Sequence, residues 1–256
     1  MFKLSKKLVI NISFGGLISL LSISSLITIY KNKALFSDKT TSSSYRKNNL
    51  GGSENDKVWA KKLIEGGYIL HFRHAERQKW IDVQMYDSLE SDVHNNGINQ
   101  SRLAEKDYFK DAVCLNERGI IQAKAMGEHL KNIKFPIGLV ISSPSCRSRQ
   151  TAKLAFGGYE ELKRILVHAG PYTESAKENT NKLVNLYLSL PILKDTNTIV
   201  SSHNSVIHAD MLENVSKKKL TLEEGGFYVI SKKDNKLFLE HEFHNFNSFI
   251  RQFYKR

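Results

Sequence analysis

Short apolar segments alternate with stretches of helical periodicity along most of the chain, and this alternation limits the fold more than any other feature. Short apolar runs predict strands, whereas apolar residues that recur every three or four positions predict helices. The predicted strands lie at residues 68–72, 138–141, 165–167 and 198–202, with a closing hairpin at 227–230 and 237–239. The predicted helices lie at 58–65, after Asn116, behind 142–143 with Pro144 in the first turn, around 183–190, and from 204 to Leu212. This order predicts an α/β fold with a mostly parallel sheet and helices on both faces.

The amino-terminal segment carries a separate signal. Residues 8–30 contain no charged side chain and are flanked by lysines on both sides. As a helix they would reach roughly 35 Å, enough to cross a bilayer. We expect an uncleaved signal anchor with a cytoplasmic stub in residues 1–30, a flexible linker at 31–56, and a folded domain at 57–256 on the extracytoplasmic (periplasmic) side. A cleaved signal peptide, which would release a secreted domain, and a buried soluble helix are the alternatives.

The net charge limits the possible binding partners, and the cysteine content limits the possible disulfides. The net charge of +12 indicates a basic surface that meets an anion such as a phosphorylated small molecule or an acidic lipid headgroup, although a lysine excess can also serve only solubility. No zinc-finger spacing or long basic run is present, so we expect no nucleic acid partner. The two cysteines, Cys114 and Cys146, either form one bridge in an oxidising compartment or remain two buried thiols.

Polar side chains follow three of the predicted strands. In an open α/β sheet the ligand binds beyond the carboxyl ends of the strands, so these side chains should meet in one crevice. Arginine matches phosphate oxygens with its planar fork, and a helix amino terminus adds N–H donors. Each residue taken alone could be structural, but together they predict a phosphoryl-binding pocket. Its members are Arg73 and His74 after the first strand, Ser142, Ser143 and Arg147 after the second, and Ser202 and His203 after the third.

Four ordered blocks carry a resemblance to a known family. Residues 72–77 read Phe-Arg-His-Ala-Glu-Arg, 115–123 contain Leu-Asn-Glu-Arg-Gly and Gln-Ala, 142–152 read Ser-Ser-Pro-Ser-Cys-Arg-Ser-Arg-Gln-Thr-Ala, and 202–203 read Ser-His. This set resembles the signature of the histidine phosphatase superfamily, which includes the cofactor-dependent phosphoglycerate mutases. The resemblance spans roughly residues 68–205, and the closing hairpin is consistent with it.

The resemblance implies a role for each matching residue. His74 would attack phosphorus and become phosphohistidine, while Arg73, Arg147 and His203, together with Arg77, would hold the phosphoryl oxygens. A carboxylic acid would protonate the leaving group. Glu174 fits its position best, with Glu178 one turn later and Glu76 as the alternatives; Glu174 could equally be a carboxylate that interacts with a helix dipole. The resemblance implies no metal and no organic cofactor for this chain.

Two departures from the family pattern narrow the choice of branch within the superfamily. His203 is followed by Asn204 rather than by the aspartate of the phytase and acid phosphatase branch, and Trp80 stands where the mutases have asparagine. A phosphoglycerate mutase is therefore not expected. The sequence of these motifs most resembles that of a branch of envelope enzymes that remove phosphate from lipopolysaccharide core heptose. This likeness implies phosphomonoester hydrolysis on a small phosphorylated substrate, such as a lipopolysaccharide sugar phosphate, by an enzyme held at the membrane through its amino-terminal helix.

Two other functions would use the same residues. A phosphoprotein phosphatase acting on phosphohistidine or phosphoamino acids would need a shallower pocket, and the long segment 78–113, predicted to form a lid, favours a small-molecule or glycan substrate instead. A non-catalytic module that binds phosphate or glycan could rely on arginines alone, so the pair His74 and His203 favours an enzyme. His241 and His244 could suggest a metal pair, but their spacing on a strand places them on opposite faces, and we interpret them as structural.

Overall fold

The structure, a computed structural model, describes residues 53–77, 114–167, 175–216 and 219–254. Several predictions from the sequence fall outside these ranges: the signal anchor, the linker up to residue 52, the proposed lid at 78–113 with Trp80, and Glu174. Within the described ranges, every helix is too short or too polar to cross a bilayer.

Five α-helices and six strands make up the described part of the chain. The helices are α1 (Glu54–Glu65), α2 (Glu117–Asn132), α3 (Cys146–Phe156), α4 (Ala176–Ser189) and α5 (Phe246–Ile250). The strands are β1 (Ile69–Arg73), β2 (Ile137–Ser142), β3 (Glu161–Leu162), β4 (Asn197–Ser202), β5 (Phe227–Lys233) and β6 (Lys236–Phe243).

Side-chain caps fix where the three longest helices begin. Ser53 and Asp56 form a reciprocal capping box, so α1 starts at Glu54, four residues before its predicted start at Val58. The Asn116 side chain accepts a hydrogen bond from the backbone N–H of Gly119 at 2.7 Å, which confirms the predicted cap of α2. Ser175 caps α4 in the same way as Ser53 caps α1.

The six strands form one sheet in the order β3-β2-β4-β1-β5-β6. The first four strands are mutually parallel, and β5 and β6 join them as an antiparallel hairpin. The sheet is therefore mixed, with the parallel part and the closing hairpin both as predicted. β1 lies between β4 and β5, and its neighbours on both sides come from the last third of the chain.

Both faces of the sheet are covered, which confirms the predicted layering. On one face α1, α2, α3 and α5 pack against side chains that include Leu70, Phe72 and Ile199. On the other face α4 and the segment after β4 pack against Ile69 and Val200. Neighbouring residues of β1 and β4 thus point to opposite cores, as the period of two requires.

Three local predictions were wrong. Residues 165–167 do not form a strand: Arg164–Leu166 is a short 3-10 turn, because Glu161–Leu162 already pairs with the end of β2. No α-helix runs from 204 to Leu212, where Ala209–Met211 makes a single 3-10 turn. Pro144 precedes α3 instead of lying in its first turn, because Ser145 is the N-cap residue.

Candidate active site

The carboxyl ends of three adjacent parallel strands form the candidate site. Arg73 and Ser202, the last residues of β1 and β4, are partners in register. The next residue of each strand is a histidine, so the rings of His74 and His203 come together with their centroids 5.4 Å apart. β2 flanks β4 on its other side and delivers Ser142 and Ser143. The three strand ends that the sequence predicted to meet are therefore adjacent in the sheet.

The hydrogen bonds of His74 determine which ring nitrogen carries its proton. Its Nδ1 lies 2.7 Å from the carbonyl oxygen of Ala75, and a carbonyl only accepts, so Nδ1–H is the donor. The neutral ring then has its lone pair on Nε2. The backbone N–H of His74 also donates to the carbonyl of Ser202 at 3.0 Å. With the side chain only 3% exposed, the ring is held in one orientation.

The positive charges of three arginines act on His74. Burial lowers the pKa of this imidazole well below its usual range, and the positive charges of Arg147, Arg73 and Arg77 lower it further, while the bond to Ala75 acts in the opposite direction. The imidazole is consequently neutral at physiological pH, with the lone pair of its ring on Nε2. The structure thus brings together all three arginines that the sequence predicted for phosphate binding.

The amino-terminal turn of α3 contributes a second element of an anion site. Arg147, the second residue of α3, is fully buried despite its charge. The first N–H groups of a helix have no partners within the helix and attract anions. The N-cap residue Ser145 makes no side-chain cap bond, and its buried hydroxyl has no hydrogen-bond partner among the described residues. A phosphoryl group with two negative charges matches this arrangement.

His203 is fixed through both of its ring nitrogens. Nη2 of Arg147 lies 3.3 Å from Nδ1, and Oγ of Ser143 lies 3.0 Å from Nε2. Since a guanidinium only donates, Nδ1 accepts and the neutral ring carries its proton on Nε2, which donates to Ser143. The sequence indicated Ser143 as a member of the pocket, but it did not indicate this contact.

Arg73 is held by a segment that the sequence analysis missed. Its Nη1 donates to the carbonyl of Leu222 at 2.5 Å, and its Nη2 pairs with Glu224 at 3.2 Å. The side chain of Asn204 accepts a hydrogen bond from the backbone N–H of Leu222 at 2.5 Å. Asn204, which replaces the aspartate of another branch, therefore connects the His203 loop to the segment that orients Arg73. Nothing in the spacing of these residues indicated the contact.

The glutamates considered as proton donors have different surroundings. Glu76 accepts hydrogen bonds from Arg118 and from the side chain of Asn116. Glu178 completes the capping box of α4 by accepting from the backbone N–H and the hydroxyl of Ser175, each at 2.8 Å. Both carboxylates are thus engaged in structural contacts, whereas Glu174 lies outside the described residues.

The remaining motif residues position the loop after β1. Oγ1 of Thr151 accepts from the backbone N–H of Ala75 and donates to the carbonyl of Arg147, which connects the loop to α3. Gln122 accepts from the backbone N–H of Glu76. A Cβ at Gly119 would lie 1.9 Å from the carbonyl oxygen of Glu76, so only glycine allows α2 to approach the loop this closely.

The two cysteines form a disulfide, which decides between the two states that the sequence allowed. Cys114 and Cys146 are bridged with their Cα atoms 4.8 Å apart, and both are buried. The bridge connects the residue immediately before Arg147 to the chain that leads into α2. It therefore fixes the amino terminus of α3 beside the site.

His241 and His244 do not converge on a common site. Nε2 of His241 contacts Asp56 at 2.8 Å, whereas Nδ1 of His244 donates to the carbonyl of Thr221 at 3.1 Å. This agrees with their structural interpretation. Across the described ranges, no group of three or more histidine, cysteine, aspartate or glutamate side chains is arranged to hold a metal ion.

Comparisons with known proteins give one family match and several structural likenesses. Residues 69–166 match the model of the histidine phosphatase superfamily (branch 1). The chain is similar to a phosphoserine phosphatase from Entamoeba histolytica solved with 3-phosphoglyceric acid (16% identity, 71% of this chain and 98% of that one, TM-score 0.46). It is also similar to an open reading frame product of Mycobacterium tuberculosis (16% identity, 70% of this chain and 97% of that one, TM-score 0.46). A third similar structure is the protein histidine phosphatase SixA solved with tungstate (14% identity, 69% of this chain and 96% of that one, TM-score 0.44). No curated protein matches the sequence.

Proposed function

We propose that this chain, whose residues 69–166 match the model of the histidine phosphatase superfamily, is a phosphatase that hydrolyses small phosphomonoesters through a phosphohistidine formed on His74. The observation that carries the proposal is the tautomer of His74. Its Nδ1–H is committed to the carbonyl of Ala75, which leaves the Nε2 lone pair of a neutral imidazole among three guanidinium groups.

In the first step, the Nε2 lone pair of His74 attacks the phosphorus atom. A P–N bond forms, the P–O bond to the leaving group breaks, and the leaving oxygen takes a proton from a carboxylic acid. Arg73, Arg77 and Arg147 neutralise the charge on the transferred oxygens, and the N–H of His203 turns from Ser143 to one of these oxygens.

In the second step, water attacks the phosphohistidine. Its oxygen bonds to phosphorus, the P–N bond breaks, and His74 recovers its lone pair. The proton of the water passes to the carboxylate that served as the acid, so the site returns to its starting state with release of inorganic phosphate. Glu174 is our candidate for this group, since Glu76 and Glu178 are already engaged in structural contacts.

We propose an envelope sugar phosphate, such as a phosphorylated lipopolysaccharide sugar, as the substrate and an extracytoplasmic location for the domain. The Cys114–Cys146 disulfide supports the location, because structural disulfides persist in oxidising compartments. The apolar segment 8–30 would anchor the domain at a membrane. The cluster of arginines in the site supports an anionic substrate.

His74→Asn tests the nucleophile with little structural change. The asparagine amide can replace Nδ1–H as the donor to Ala75 but has no atom in place of Nε2. Brief exposure of the full-length wild-type protein to phosphate-labelled p-nitrophenyl phosphate should leave an acid-labile, base-stable label on the protein. His74→Asn should lose both the label and turnover, whereas His129→Asn, a change on α2 away from the site, should retain both. Substantial turnover by a folded His74→Asn variant would exclude the covalent mechanism.

A comparison of substrates tests the proposed substrate class. Full-length protein in detergent would be offered phosphorylated hexoses and heptoses, phosphorylated lipopolysaccharide fragments, and phosphohistidine or phosphoserine peptides. The proposal expects the highest kcat/KM in the sugar or lipopolysaccharide arm. A clear preference for the peptides would assign the site to phosphoprotein hydrolysis instead.

A further inference from the structure

We propose that His71 and Tyr187 form a buried relay that positions His203 for the reaction. The inference rests on the function proposed above, in which His203 contacts the transferred phosphoryl group. Neither residue contacts the substrate in this scheme. Both act through the backbone of His203, and they are positioning residues.

The relay consists of two consecutive hydrogen bonds. Oη of Tyr187, on α4, lies 2.6 Å from Nδ1 of His71, on β1. Nε2 of His71 lies 2.8 Å from the backbone carbonyl oxygen of His203, immediately after β4. Both side chains are completely buried. The relay therefore connects the helix on one face of the sheet to the residue that leaves the sheet beside His74.

The direction of both bonds follows from the acceptor at the end. A carbonyl oxygen only accepts, so His71 must carry its proton on Nε2. Nδ1 then has the lone pair, and Tyr187 donates to it. Without the tyrosine hydroxyl, Nδ1 would be a buried acceptor with no partner, and the other tautomer would turn a lone pair toward the carbonyl of His203. Tyr187 thus selects the tautomer in which His71 can hold His203.

The surroundings argue against a role in packing alone. The other inward-facing residues of this core are mostly apolar, such as Ile69 on β1 and Val200 on β4. An apolar residue at position 71 would fill the space without the cost of burying two polar groups. A buried polar network that is fully satisfied fixes a geometry more tightly than apolar contacts do. Here the geometry that it fixes is the backbone from which the His203 ring projects.

Tyr228 provides a matched control within the same core. Its ring centroid lies 6.0 Å from that of His71, compared with 6.1 Å for Tyr187, and both tyrosines are fully buried. The hydroxyl of Tyr228, in contrast, has no hydrogen-bond partner among the described residues. Removing either hydroxyl deletes the same atom from the same core, but only Tyr187→Phe breaks the relay.

The first experiment compares the two tyrosine variants in the full-length protein with p-nitrophenyl phosphate. Tyr187→Phe should lower kcat by about tenfold with a smaller change in KM, since a small displacement of a group that contacts the transition state reduces the rate steeply. Tyr228→Phe should stay within about twofold of the wild type. Equal kcat values for the two variants would overturn the proposal, even if Tyr187→Phe were less stable.

Changes at His71 separate positioning from packing. His71→Gln retains an amide donor that can reach the carbonyl of His203 and should keep most of the activity, whereas His71→Leu should lose about as much as Tyr187→Phe. Combined with His203→Ala, Tyr187→Phe should cause no additional loss, because a residue that acts through His203 has no effect once that ring is absent. A full additional loss in the double variant would show that the relay does not act through His203.

A third measurement requires no substrate. The imidazole ¹H–¹⁵N NMR signals of His203 should shift in Tyr187→Phe and stay in place in Tyr228→Phe, while the signals of His129 remain unchanged in both. Unmoved His203 signals in Tyr187→Phe would refute the relay by themselves. A protein inactive on every phosphomonoester but with these shifts would instead refute the proposed function and leave the positioning contact established.

Discussion

Reduction of the disulfide between Cys114 and Cys146 offers the most direct quantitative test of the structure. The two cysteines are 32 residues apart in sequence, so the bridge closes a loop that contains α2 and β2. The loop-closure entropy for this length corresponds to about 3.7 kcal/mol at 25 °C, and reduction should lower the free energy of unfolding by that amount. For a domain of roughly 200 residues, the melting temperature should fall by about 7–15 °C.

The assay compares thermal unfolding of the purified full-length protein with and without reductant. Reduction keeps both sulfur atoms, so the loss measures the constraint and not a cavity. The variant Cys114→Ala/Cys146→Ala should melt near the reduced wild type and should not respond to reductant. Two titratable thiols in the oxidised wild-type protein, or equal melting temperatures with and without reductant, would refute the assignment of the bridge.

Three further predictions concern the proton donor, acid stability and the amino terminus. Glu174→Gln should slow the hydrolysis of alkyl phosphates about 10²–10⁴-fold and that of aryl phosphates much less, because only a poor leaving group needs the proton. Equal losses on both substrate types would exclude Glu174 as the donor. The effect of Glu178→Gln should be milder. Burial lowers the pKa of His71 to about 4. The unfolded imidazole titrates near 6.5, so the unfolded chain binds the proton first and acidification from pH 6.5 to 4 should reduce stability by about 3 kcal/mol through this group. Urea unfolding across that range should show a weaker pH dependence in His71→Gln, and an unchanged dependence would contradict the assignment. If residues 8–30 are an uncleaved anchor, the protein should resist carbonate extraction and begin at residue 1 or 2; a terminus between residues 31 and 44 would show cleavage instead.

The sequence was most informative where short-range chemistry determines the structure. The apolar runs of β1, β2 and β4 end at Arg73, Ser142 and Ser202, and parallel pairing necessarily brings such ends together. The cap at Asn116 was also recognisable, because a side-chain oxygen before a periodic segment satisfies its first free N–H groups. The adjacency of the strand ends at the candidate site followed from these local rules.

The wrong predictions of secondary structure came from apolar side chains that are buried although their backbone forms neither a helix nor a strand. Leu166 and Val167 are buried, which gave the apolar signal of a strand, but their backbone turns after the short pairing of β3. Met211 and Leu212 are buried as well, and their spacing imitated a helix. Periodicity reports which side chains avoid water, and it cannot distinguish an irregular buried segment from a helix or strand.

Contacts between distant residues could not be predicted from spacing at all. Arg73 is held by Glu224, and His203 is held by His71, through pairings that only the assembled sheet creates. One clue to the second contact was visible in the sequence, because a histidine inside an otherwise apolar strand needs a partner for each ring nitrogen. Its partner on α4 could not be identified without the fold.

The position of β1 in the sheet also determines when the pocket can form during synthesis. β1 is made first among the strands, but Ile69 pairs with Thr198 on one side and with Ile230 on the other. Pairings this distant close slowly, and an unpaired apolar strand is prone to aggregate while it waits. The Cys114–Cys146 bridge spans a much shorter interval and can close before β4 leaves the ribosome or a translocation channel. The candidate site between the ends of β1, β4 and β2 can therefore assemble only when nearly all of the protein has emerged.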